Sequence, residues 1–175
     1  KLNPTDNLDP ADLEDIWDFG QHSGSDALKA TCYIGALTIT GVVIPQFTPA
    51  LLPSGEWAQA LSPSMSLPPN MPLGKVTTNV TLPSNNIEKT ASAGIKVGGR
   101  IVDYDLSLSY VYTRDHLPII SDIEISPSTE AGKVDVLTGA EYPQNNILGA
   151  DFAGNICNIG VWAEAAAFFQ IGRAS

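Results

Sequence analysis

The chain has 175 residues, 43% of them apolar and 16% charged, and its nine Lys and Arg against nineteen Asp and Glu give a formal net charge of −10. That length suffices for one domain with a buried core, and the apolar content excludes a disordered chain. The acidity argues against a nucleic-acid partner, and no apolar run reaches the roughly 18 residues of a helical membrane span.

Residues 1–26 form an acidic loop that gathers Asp6, Asp9, Asp12, Glu14, Asp15 and Asp18. The opening "KLNPTDNLDP" has no apolar core behind its lysine, so no signal peptide is expected there. Asp9-Pro10 predicts a short helix, with Asp as its N-cap and Pro at its first position. Asp6, Asp9 and Asp12 are weak calcium candidates, because hard cations take carboxylate oxygens, but the spacing lacks the Gly and terminal Glu of an EF-hand loop. No bound metal is expected.

Three hairpins follow, each read from strict alternation of apolar and polar residues. In the first, residues 27–44, Leu28, Ala30, Cys32 and Ile34 oppose Lys29, Thr31 and Tyr33, and a turn at Gly35-Ala36 leads to Leu37, Ile39, Gly41 and Val43. In the second, residues 93–113, Ile95, Val97, Leu106, Leu108, Tyr110 and Tyr112 oppose Lys96, Gly98, Ser107, Ser109, Val111 and Thr113, with Asp103 and Asp105 supplying the turn. In the third, residues 146–169, Leu148, Ala150, Phe152, Ile159, Val161 and Ala163 oppose Gly149, Asp151, Gly160, Trp162 and Glu164 around a turn at "GNICN". Its Ala-rich end, "AEAAAFF", has helical propensity, and a helix is the alternative there.

Residues 45–90 and 114–145 are expected to be long loops, rich in Pro, Ser, Asn and Thr. Compact soluble domains seldom carry two such connections. Short turns at one end and long loops at the other match the plan of an outer-membrane β-barrel, whose closed sheet pairs every backbone group in hydrocarbon. The fold class expected is therefore all-β, a section of a transmembrane β-barrel, with a soluble β-sandwich as the alternative. Period two alone does not separate lipid from a protein core. Tyr33 and Tyr104 near the turns, and Tyr110, Tyr112, Phe168 and Phe169 near the loops, are expected to form interfacial girdles.

No residues form a catalytic pattern. A GxSxG elbow is missing, "GIKVGGR" lacks the helix of a phosphate loop, and His22 and His116 stand alone. No enzymatic activity and no cofactor are expected. Cys32 and Cys157 are too distant for a CxxC or zinc motif and are expected as small apolar residues, with a disulfide as the alternative. The pore-lining candidates are Lys29, Thr31, Lys96, Arg100, Ser107, Ser109, Asp151 and Glu164, whose mixed charges would tune which solutes pass.

The segments "NPTDNLDPADLEDIWDFG", "VVIPQFTPALLPSGEWAQ", "GGRIVDYDLSLSYVYTRDHLPI" and "YPQNNILGADFAGNICNIGVWAEAAAFF", taken in order, resemble a porin-like outer-membrane β-barrel family of Gram-negative bacteria. The resemblance implies a location in the bacterial outer membrane, contact with its lipid, and passage of small solutes or structural anchoring. Members of that family are longer, which makes this chain similar to an internal piece with open sheet edges able to self-associate. Under the sandwich alternative the long loops would recognise glycan or protein.

Overall fold

The computed structural model describes residues 8–14, 21–53, 72–84, 86–130 and 132–170. Among them lie nine strands: β1 (Leu28–Ile34), β2 (Leu37–Ile44), β3 (Leu73–Thr81), β4 (Ser92–Ile101), β5 (Tyr104–Arg114), β6 (Ile119–Pro127), β7 (Val134–Glu141), β8 (Gln144–Ile156) and β9 (Ile159–Gln170). A single helical turn, α1 (Ile87–Thr90), precedes β4. The chain is all-β.

The three expected hairpins are β1/β2, β4/β5 and β8/β9, joined side by side into one antiparallel six-stranded sheet of order β1-β2-β4-β5-β8-β9. Unbroken registers such as Tyr33↔Thr38, Lys96↔Ser109 and Asp151↔Glu164 put every alternation in phase across the sheet. The Ala-rich end of the chain is strand, since β9 pairs with β8 from Ile159 to Gln170 and that ladder overrides the helical propensity of alanine.

All three hairpin turns lie at one end of this sheet. Gly35 has φ 60° at the first central position, the place a type II′ turn needs glycine. The third turn is shorter than "GNICN": β8 continues to Ile156, and Cys157 and Asn158, at φ 50° and 65°, make the whole reversal as a type I′ pair. In the second turn Asp103 takes part as expected, while Asp105 is already in β5, opposite Arg100.

The long connections are more ordered than their composition implies. Residues 45–90 contain β3 and α1, and residues 114–145 contain β6 and β7, which assemble into a second, three-stranded sheet of order β3-β7-β6. β3 runs parallel to β7 and β6 antiparallel to it. Gly74 leaves room for the Asp135 carboxylate, which accepts the Lys75 N–H at 2.7 Å and ties β3 to β7. The Lys75 N–H, and next the Ser128 hydroxyl, hold the Asp135 carboxyl below its ordinary pKa. At the loop end of the large sheet Phe47 stacks on His116 at 5.6 Å and meets Tyr142 edge-on at 5.0 Å, and burial pushes the Tyr142 phenol up.

The expected helix at Asp9-Pro10 is not present in the described residues 9–14. This segment is extended instead. Asp12 N–H donates to Gln21 O, Ser23 N–H to Pro10 O, and Leu51 N–H to Ala11 O, at 2.8–3.0 Å, so tertiary pairing satisfies the backbone that a cap would have served. The remainder of that segment, including Asp6, Asp15 and Asp18, lies outside the described residues.

Candidate functional site: the two faces of the large sheet

Burial runs against the usual order of a soluble sheet. Along β5, Ser107 and Ser109 are buried at 8% and 6% exposure, while Leu106 and Leu108 between and beside them are 40% and 68% exposed. Register extends this pattern to the neighbouring strands. One face carries Leu28, Ile34, Leu37, Val43, Ile95, Val97, Leu148 and Ile159, all exposed, and its one charged residue in the six strands is Arg114 at the loop end of β5, whose guanidinium donates to the Tyr142 and Lys89 carbonyls. Cys32 shares that face as a free, exposed thiol, and Cys157 is free and exposed in its turn. A cavity of about 510 Å³ opens against this face between Leu37, Val97, Leu106, Leu108 and Phe152.

Aromatic residues bracket the apolar face. Tyr104 stacks on Phe152 at 5.3 Å near the turns, while Tyr110, Tyr112 and Phe169 lie toward the loops. Tyr112 lies eight positions beyond Tyr104 on β5, about 27 Å along the strand. Tyr33 and Phe168 belong to the opposite face by register, so the sequence expectation that they share these girdles is corrected. A period-two strand sends their side chains the other way.

All eight pore-lining candidates lie on the polar face, in register. Lys96 Nζ meets Asp151 Oδ2 at 2.9 Å, and the Ser107 hydroxyl donates to the same carboxylate oxygen. Glu164 stands directly across from Asp151 on β9; a like-charge pair is unfavourable there unless a cation such as Lys96 offsets it. Thr31 and Thr40 share a hydroxyl contact at 3.3 Å. Arg100 reaches Asp103 at 3.9 Å at the turn end, well away from the central cluster, and Lys29 sits on edge strand β1.

Toward the loops the same face becomes apolar. Ile44, Val111 and Ile147 are buried there with Val42 and Ala166 packed beside them, and Leu8 of the N-terminal segment covers them. Gly94 makes this possible, because a Cβ at that position would come within 3.3 Å of Leu8 Cδ1 and of Val42 Cγ1. Residues 8–13 therefore form a strap over the loop end of the polar face. The sequence reading missed this contact; the signal available was the break in alternation at Val42 and Val111, two apolar residues in polar phase.

The strap also encloses a hollow of about 420 Å³ lined by Asp9, Lys29, Thr40, Lys96 and Ser109. A smaller one, about 200 Å³, holds His22 and His116, whose Nδ1 atoms lie 3.1 Å from Asp9 O and 2.7 Å from Thr48 O. Asp12 accepts the Glu14 N–H at 3.1 Å. Among the described residues no three His, Cys, Asp or Glu side chains converge as a metal cluster, and Asp6 lies outside them.

No family model, curated protein or solved structure matches the chain.

Proposed function

We propose that the six-stranded sheet is part of the wall of an outer-membrane-type β-barrel, whose apolar face meets lipid and whose opposite face meets a water-filled lumen. The observation that carries this is the inversion along β5, with serines buried and leucines exposed. A soluble monomer rarely leaves a contiguous apolar surface larger than a few hundred Å² in water. In a bilayer the same surface costs nothing, provided the backbone is paired, and strands of 10 and 11 residues such as β4 and β5 are long enough to cross. The bracketing aromatics fit the two interfaces.

The function that follows is passage of small solutes along a charged wall, or structural anchoring in the membrane, with outer-membrane lipid as the partner and no catalytic step. Six strands fall short of the roughly eight of the smallest such barrels. The outer ladders of β1 and β9 must then pair with further strands, whether from the same polypeptide or from another copy. The resemblance to a porin-like family of Gram-negative bacteria points the same way. The alternative, a soluble sandwich for glycan or protein recognition, requires a second layer over Leu106, Leu108 and Ile159, all of which are exposed among the described residues.

The test is solubility and folding. The chain is expected to give a dispersed, β-rich species only with detergent or lipid and to aggregate in plain buffer through its edges and apolar face. A monodisperse, stable monomer in buffer alone would overturn the wall assignment.

A further inference from the structure

The hollow beneath the strap has an organisation the wall role does not require. By register, Thr40, Lys96 and Ser109 form one row across β2, β4 and β5, and Val42, Gly94 and Val111 form the adjacent row toward the loops. One end of the hollow is thus cationic and hydroxyl-lined, while the other is apolar and roofed by Leu8. Lys29 lies two strands from Lys96 and two residues along, a Cα separation of about 12 Å that two lysine side chains can span over Thr40. No ion pair holds Lys29 among the described residues.

A second observation singles out this hollow. The Ser109 hydroxyl is more than nine-tenths buried, lines the cavity, and has no hydrogen-bond partner among the described residues. A buried hydroxyl left without a partner is unfavourable, and native folds seldom keep one. Its row neighbour Lys96 is committed to Asp151 but retains donors, since an ammonium carries three.

We infer that this hollow is a binding subsite for a small carboxylate with an apolar body, held at its anionic end by Lys29, Lys96 and Ser109 and along its chain by Val42, Val111 and Leu8. Asp9, on the strap side, repels the carboxylate and so fixes the orientation. About 420 Å³ is within the range of small-molecule sites. The assignment rests on the wall reading only for its role in passage, where the subsite would favour such anions at the lumen surface; the geometry of the site stands apart from it.

The experiment titrates the full chain in maltoside micelles with sodium butyrate, following backbone amide shifts of Ser109 and Lys96, with butylamine and butanol as comparisons. Butyrate is expected to shift those amides saturably and the other two compounds not. Lys29→Gln should weaken apparent affinity about tenfold and Ser109→Ala several-fold. Thr40→Val serves as a second variant should Ser109→Ala fail to fold, and it should weaken affinity in the same direction. Equal binding of butanol, shifts spread over the apolar face, or unchanged affinity in Lys29→Gln would each overturn the subsite. Channel formation in planar bilayers is read separately. Butyrate binding by a chain that inserts into no bilayer sustains the subsite and refutes the wall, and channels with no carboxylate binding do the reverse.

Discussion

Lys96 and Asp151, 55 positions apart in sequence, form an ion pair at 2.9 Å across β5, with the Ser107 hydroxyl on the same carboxylate. Each side chain is about a third exposed, so solvent screens part of the attraction. Asp151→Asn is expected to cost about 1 kcal/mol, at the low end for a charge-assisted contact. A double-mutant cycle with Lys96→Met should show coupling of similar size, measured by denaturant unfolding in micelles. If the face lines a pore, Asp151→Asn should also shift the reversal potential toward anions. No coupling would show that the pair is incidental.

Gly94 allows Leu8 to seat on Val42 and Val111. Gly94→Val adds branched volume where the nearest side-chain atoms already lie 3.3 Å from a Cβ, and overpacking of this kind costs about 1–3 kcal/mol. Rather than disturb the ladder, the strap should lift, and limited proteolysis should then cut within residues 8–13 faster than in the parent. An unchanged cleavage pattern would mean that the strap is held elsewhere.

Val102 occupies the second hairpin turn at φ 60°, a left-handed conformation that a β-branched residue adopts at a cost, and its side chain is exposed. Val102→Gly removes the steric penalty and loses almost no packing. Stability should rise by about 1 kcal/mol. A drop in the unfolding midpoint would contradict the turn geometry.

Asp135 gives the small sheet its pH response. Its carboxyl pKa is lowered by the Lys75 N–H and the Ser128 hydroxyl, so its contribution to stability is fully present above the ordinary carboxylate pKa of about 3.9 and is lost as pH falls through the lower folded value. The protection factor of the Lys75 amide should therefore be constant from neutral pH down to about 4 and fall below it. In Asp135→Asn it should be lower at neutral pH and show no such acid step. A Lys75 amide that stays equally protected at pH 2 would rule out the coupling.

The three hairpins were legible because alternation is a local signal and their turns are short; the whole polar set from Lys29 to Glu164 follows from phase alone. The sheet of β3, β6 and β7 was not, because β3 pairs in parallel with a strand some 60 positions later, as Val76↔Val136 does, and "LGKVTTNVT" carries no clean alternation. The Asp9-Pro10 cap signal was overridden by distant backbone partners at Gln21 and Leu51. Val42 and Val111 could be assigned to the polar face but not to a buried cluster, since that depends on Leu8 arriving from another part of the chain.

The most direct test is a cysteine scan along β5, from Leu106 to Tyr112, in a Cys32→Ser, Cys157→Ser background reconstituted in lipid vesicles. Each cysteine carries a bimane label, quenched in turn by a brominated lipid and by aqueous iodide. Lipid quenching is expected to peak at Leu106, Leu108, Tyr110 and Tyr112 and to be weak at Ser107, Ser109 and Val111. Quenching of position 108 by iodide as strongly as position 107, with no lipid effect at either, would contradict a lipid-facing wall.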